Sequence, residues 1–172
     1  MIKAILACDE SWGIGKDGGL PWPHNPSDMK WFRATTLHRT IVMGRNTWDS
    51  LPIKPLPGRH NIIVSGKMNI PDNSSSIEVV RPDIYKSRIY TISAEQDVCV
   101  IGGAKLILDC IDLIDEFRLS RISGTYNCDT FLPSTLIEEN FTSGCDWVEL
   151  MRKSAPDGIR RSTERWGDWL AP

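Results

Sequence analysis

The sequence predicts an α/β fold built on a mainly parallel sheet, and two observations lead there. Short β-rich apolar runs recur at residues 2–8, 40–43, 61–65, 77–80, 98–101 and 117–122. Helical patterns separate several of them, which is the alternation that βαβ units produce. The first run, residues 2–8, is apolar throughout except for Lys3, as a strand buried on both faces requires. At 172 residues the chain reads as a single domain, able to bury roughly two-thirds of its unfolded surface without disulfides or a structural metal.

Taken in order, the first strand is bounded by Asp9 and Glu10 and gives way to I-G-K-D-G-G-L-P-W over residues 14–22. Its three glycines and proline make this a loop, readable as a lid near a site or as a surface turn with Trp22 tucked over the core. Residues 27–38 form the strongest helix, with Pro26 suited to its start and Ser27 to its cap. Two shorter helices, 45–51 and 103–111, each begin just after a strand and a glycine, and 73–76 reads as a turn. The Ile and Tyr residues of 81–96 fit neither a helical nor a strand period. From Pro156 onward the tail is charged, with Ile159, Trp166, Trp169 and Leu170 as its large apolar residues.

Composition argues against several function classes. Twenty Lys and Arg against 22 Asp and Glu give a net charge of -2, so there is no broad basic field to hold nucleic acid or an anionic membrane. No run approaches the roughly 20 apolar residues of a membrane span, and the opening apolar stretch is too brief for a signal peptide. The five cysteines, at 8, 99, 110, 128 and 145, form no C-x-x-C pair, and their odd number suits a reducing compartment. A cytoplasmic protein is expected. His24, His38 and His60 have no metal-like spacing, and no metal is expected.

A few residues carry chemistry. Asp28, Phe32 and Thr36 lie four residues apart on one helical stripe, with Met29 beside them. Asp28 either complements the helix dipole in the first turn or stands as a lone carboxylate at the edge of an apolar cleft, ready for a flat amidine-like edge. Gly44 and Arg45 follow one strand and open a helix, as Gly102 and Gly103 follow another. Each pair alone also reads as a tight turn, but backbone N–H groups and bare Cα atoms there admit a pyrophosphate. Two such places favour a dinucleotide, with Arg45, Ser65 and Lys67 suited to an extra 2′-phosphate. Neither the Gly44 nor the Gly102–Gly103 segment carries G-x-G-x-x-G, no Walker pattern occurs, and no Ser, Cys or His constellation supports a nucleophile. One acid, no metal and a dinucleotide point to hydride transfer, in which the protein supplies orientation.

Five segments, I-G-K-D-G-G-L-P-W at 14–22, P-S-D-M-K-W-F at 26–32, I-V-M-G-R-N-T-W at 41–48, L-P-G-R at 56–59 and V-I-G-G at 100–103, together with D-T-F at 129–131, resemble dihydrofolate reductase in order and spacing. The resemblance implies a central sheet of about eight strands flanked by helices. It also implies NADPH-dependent reduction of 7,8-dihydrofolate to 5,6,7,8-tetrahydrofolate, with hydride delivered to C6 and a proton to N5, and binding of antifolate-type small molecules by a monomer. Asp28 would be the catalytic acid, with Trp22 nearby and Ser120 sharing its hydrogen-bond network, and burial should raise its pKa. Ile5, Ala7, Met29, Phe32, Leu51 and Ile101 would line the pterin and benzoyl pocket, and Arg59 would grip the glutamate α-carboxylate. On the cofactor side the resemblance implies Ala7, Ile14 and Leu20 at the nicotinamide. It places Gly44, Arg45, Thr47, Gly102, Gly103, Ala104 and Lys105 at the phosphates, and Arg45 with Ser65 at the 2′-phosphate. Asn46 departs from the basic residue that many members carry, 81–96 lacks the clear amphipathic helix expected before V-I-G-G, and the tail lacks the usual alternating aromatics. Two alternatives stay open in the sequence: a reductase of the same fold acting on a ribosylamino-pyrimidine, and a non-catalytic folate-binding protein that keeps the cleft.

Overall fold

A computed structural model of the protein describes residues 1–69, 75–143 and 149–152. Its first strand, β1 (Ile2–Cys8), alternates side chains between two apolar clusters: Ala4, Leu6 and Cys8 join one, and Ile5 joins the other. That two-sided burial is why the run is apolar at nearly every position. The chain continues through β2 (Gly13–Gly15), α1 (Pro26–Thr36), β3 (Thr40–Gly44), α2 (Arg45–Ser50), β4 (His60–Val64), β5 (Ile77–Val80) and α3 (Tyr85–Ser93). It then forms β6 (Val98–Gly102), α4 (Ala104–Asp109), β7 (Glu116–Arg121), β8 (Thr130–Phe131), α5 (Ser134–Asn140), β9 (Phe141–Ser143) and β10 (Glu149–Arg152). Eight strands make one sheet in the order β5-β4-β3-β6-β1-β7-β10-β9, and β2 pairs with β8 apart from it. The first six in that order are parallel, while β10 runs antiparallel to both its neighbours.

Each strand expected from the sequence is present to within one residue at either end. The helices differ more. The long helix occupies Pro26–Thr36 rather than 27–38, and its cap is Asn25, not Ser27: the Asn25 side chain accepts the Asp28 backbone N–H at 3.1 Å. Pro26 then fits the first turn, where a missing N–H costs nothing. The helix stops because Leu37 is extended and His38 adopts a left-handed φ of 59°. The shorter helices end earlier than expected, at Ser50 and Asp109. Within 81–96, where the sequence shows no clear period, α3 buries Tyr85, Ile89 and Ile92 on one side. Ile84 and Tyr90, both exposed, blur that i, i+4, i+7 pattern. Cys145, the tail from Pro156 with Ile159, Trp166, Trp169 and Leu170, and residues 73 and 74 of the expected 73–76 turn lie outside the described residues, while 75 and 76 form a turn.

Charge is gathered where the parallel strands begin. Lys3, on β1, is 1% exposed and places Nζ 2.8 Å from Asp97 Oδ2 and 3.7 Å from Glu116 Oε2. The fully buried Glu116 also accepts Arg118 Nε at 2.6 Å, and Arg39 joins Asp97. Burial by itself would raise the Asp97 carboxyl, but the Lys3 ammonium and the N-terminal ammonium together outweigh it and hold the group down to about 2.

Candidate active site

The face that α1 buries is polar: Asp28, Thr35 and Thr36 are its buried residues, while Met29 is 44% exposed. Asp28 is fixed in the first turn by the Asn25 cap. Its side chain is nearly buried, and Oδ1 has no hydrogen-bond partner among the described residues. Burial raises its pKa, and a hydrogen bond with Ser120 of β7 offsets this only in part. A carboxylate held out of water without a cation is costly to the fold, and two parallel N–H donors from a ligand would satisfy it. Ile5, Ile101, Phe32 and Leu51 belong to a single apolar cluster on one face of the sheet, with Ile5 and Ile101 buried and Phe32 and Leu51 partly so. Ala7 is half-buried and stands in register with Ser120.

At the other end of the same helical stripe, the buried Thr36 hydroxyl donates to Phe32 O at 2.8 Å and accepts Arg59 Nη1 at 3.0 Å. Arg59 follows Gly58, whose φ of 70° suits glycine. Its Nε donates to Pro57 O at 3.1 Å. Arg59 is 8% exposed, and no carboxylate pairs with its guanidinium among the described residues. Burial and the nearby Arg33 both push its pKa down. Asp28 and Thr36 are eight residues apart on α1, roughly 12 Å along a helix axis at 1.5 Å per residue. One side of α1 therefore carries the Asp28 carboxyl at one end and the Arg59 guanidinium at the other, with Phe32 of the apolar cluster between them in sequence.

A second region gathers at the ends of β3 and β6. Gly102, at a φ of 119°, and Gly103 face the Thr47 hydroxyl closely enough that a Cβ on either would lie 3.5–3.7 Å from Thr47 Oγ1. A Cβ on Gly44 would stand 4.0 Å from Gly102 O. Three glycines and one hydroxyl thus meet across two strands, the open backbone that a pyrophosphate needs. Arg45 is exposed and its Nε donates to both oxygens of Asp49, at 2.9 and 2.8 Å. Ser65 is half-buried and accepts the Lys67 N–H at 3.3 Å, Ala104 is half-buried, and Lys105 is exposed.

Residues 9–24 carry Trp22, which is 7% exposed and meets the Tyr126 ring edge-on at 6.1 Å. Ile14 packs against the larger core cluster, whereas Leu20 is 62% exposed. Sequence reasoning missed what anchors this loop. Asp9 is almost fully buried and accepts Ser11 N at 2.9 Å, Gly13 N at 2.8 Å, Tyr126 N at 3.1 Å and Cys128 Sγ at 3.4 Å. A Cβ on Gly13 would overlap Cys128 Sγ at 2.3 Å. In the sequence Asp9 signals only a strand end, because two of its partners, Tyr126 and Cys128, lie more than a hundred residues away. His24 and His38 are exposed, His60 is half-buried 3.3 Å from Glu78 Oε2, and no group of three metal-capable side chains occurs among the described residues.

The sequence model of the dihydrofolate reductase family matches residues 1–146. A dihydrofolate reductase of Neisseria meningitidis serogroup A is 31% identical over 137 residues, 77% of this chain and 79% of that protein. Dihydrofolate reductase type 3 of Salmonella typhimurium is 33% identical over 162 residues, covering 94% and 92% of the two chains. Among solved structures, dihydrofolate reductase from Enterococcus faecalis complexed with NADP(H) and RAB-propyl is similar with a TM-score of 0.72 at 27% identity, over 90% of this chain and 97% of that one.

Proposed function

The chain belongs to the dihydrofolate reductase family, and on that premise we propose that Asp28, Arg59 and the Gly102–Gly103 cradle are the three points by which it holds its reactants. The protein is an NADPH-dependent oxidoreductase that reduces 7,8-dihydrofolate to 5,6,7,8-tetrahydrofolate, a step of one-carbon metabolism. The observation that carries the assignment of Asp28 and Arg59 is their placement. A buried carboxylate and a buried guanidinium, each without an opposite charge of its own, stand at the two ends of one helical stripe. Dihydrofolate has the complementary polarity, with N–H donors on its pterin and a carboxylate on its tail.

NADPH, when bound, supplies the hydride. The rest falls to this chain's own residues. Asp28 accepts the N3 and 2-amino N–H groups, Ser120 orients its carboxylate, and burial raises its proton affinity, which suits it to promote protonation of N5. A water near Trp22 would carry the proton. Ile5, Ala7, Met29, Phe32, Leu51 and Ile101 line the pterin and benzoyl pocket, and Arg59 takes the tail carboxylate in a two-pronged bond. Gly44, Arg45, Thr47, Gly102, Gly103, Ala104 and Lys105 would hold the phosphates, with Ala7, Ile14 and Leu20 at the nicotinamide. Arg45 and Ser65 would serve the 2′-phosphate, for which Arg45 would have to leave Asp49. That exchange costs little, because an exposed i, i+4 pair is worth only about 0.3–0.5 kcal/mol.

The test is NADPH oxidation followed by absorbance with dihydrofolate. Asp28→Ala should lower the rate at neutral pH by about 10²-fold or more, and a near-normal rate would remove Asp28 from the reaction. The chain further reads as one domain, a monomer acting in the cytoplasm without a nucleic-acid partner. Support comes from the net charge of -2 and from four cysteines that are free among the described residues. Sedimentation of the purified protein checks the monomer.

A further inference from the structure

We propose that Asn61 is a positioning residue for dihydrofolate, acting through Arg59 to set substrate affinity while leaving the hydride step untouched. The inference rests on the reading that Arg59 holds the tail carboxylate. Asn61 is the second residue of β4, and its side chain is fully buried. It closes the arc of chain just before the strand. Oδ1 accepts the Leu56 N–H at 3.0 Å, while Nδ2 donates to Leu56 O at 3.1 Å and Arg59 O at 3.0 Å and lies 3.4 Å from Ser76 O. One amide therefore ties both ends of the Leu56 to Arg59 arc to the sheet, where Asn61 itself is held by its backbone N–H to Ser76 O at 2.8 Å.

The guanidinium depends on that arc twice. Its backbone is part of it, and the acceptor that fixes Nε, Pro57 O, is also part of it. Elsewhere the arc is held by the His38 N–H, which donates to Gly58 O at 2.8 Å. Loosening the Asn61 bonds would shift Arg59 Cα and the Nε acceptor together, while Thr36 kept hold of Nη1. A planar fork recognises a carboxylate only in a narrow geometry, so such a shift weakens tail binding selectively. Asparagine is the residue the arrangement calls for, because it combines an acceptor with two donors. Aspartate would keep the acceptor but set its second oxygen against three carbonyls.

The experiment compares Asn61→Asp and Asn61→Ser with the parent enzyme on two substrates, dihydrofolate and a dihydropterin lacking the p-aminobenzoylglutamate tail. The KM for dihydrofolate should rise about 10-fold, the loss of one or two buried hydrogen bonds. The kcat, the KM for NADPH and the KM for the tail-less pterin should stay within about twofold. Adding Asn61→Ser to Arg59→Ala should raise the dihydrofolate KM little beyond Arg59→Ala alone, since residues acting through one another are not additive. Equal losses on both substrates, a fall in kcat, or full additivity would make Asn61 a fold residue only and overturn the proposal. So would failure of both variants to give soluble enzyme. If Arg59→Ala itself leaves the dihydrofolate KM unchanged, the reading of Arg59 falls first and this inference goes with it.

Discussion

Where the parallel strands begin, Lys3, Glu116 and Arg118 are buried with Asp97 at their margin, and each cation has a carboxylate within reach. Beside α1, Asp28 and Arg59 are buried to a similar degree, but they answer to a hydroxyl and a carbonyl rather than to opposite charge. The two regions contain the same chemical groups. They differ in whether the folded chain sets an opposite charge beside each group. A charge cluster finished in that sense belongs to stability, whereas two unfinished ones beside a single helix leave their completion to a ligand.

The largest effect should come from damaging the finished region. Glu116→Gln takes a carboxylate from both Lys3 and Arg118, and breaking a buried pair in this way costs about 3–5 kcal/mol. Thermal denaturation should show a Tm lower by about 10 °C, with the dihydrofolate KM unaltered. A stable variant with impaired binding would erase the distinction between the regions.

Asp28→Asn should do the reverse. Because burial raises the Asp28 pKa, the folded state is favoured most below the ordinary carboxylate range and loses stability as pH rises through the elevated value. A neutral amide avoids that loss, so at pH 7 the variant's Tm in the absence of ligands should exceed the parent's even as turnover falls by about 10²-fold. A Tm that drops with the rate would mean that the carboxylate helps hold the fold together.

The smallest effect concerns acid. Asp97 is held down to about 2, so its contribution is present above the ordinary carboxylate pKa of about 3.8 and disappears as pH falls toward 2. Equilibrium unfolding of Asp97→Asn should therefore vary less with pH than the parent between about 4 and 2. Parallel curves would show that the Lys3 pairing is not felt in stability.

Legibility in the sequence followed the same division. Strands buried on both faces announce themselves as apolar runs, and Asp28 stands out because an acid interrupts a stripe that also carries Phe32. The starting-edge cluster does not announce itself: Lys3 and Glu116 look like noise in apolar strands, since strand pairing brings Lys3 to Asp97 and Glu116 across about a hundred residues. Arg59 was found through the resemblance alone, because a single arginine after a glycine carries no periodic signal. Asn61 and Asp9 were missed for one reason: their work is done on backbone N–H and C=O groups, which every residue has and no motif displays. The α3 helix was hidden by exposed Ile84 and Tyr90, whose apolar character belongs to the surface.

The joint at Asp9 limits how this enzyme can be recombined with its relatives. Gly13 has no room for a larger side chain because Cys128 occupies that space, and one carboxylate serves donors from both segments. A chimera that imports only residues 9–24, or only 122–130, would bring a mismatched half to the seam. The two stretches must be transplanted as a pair.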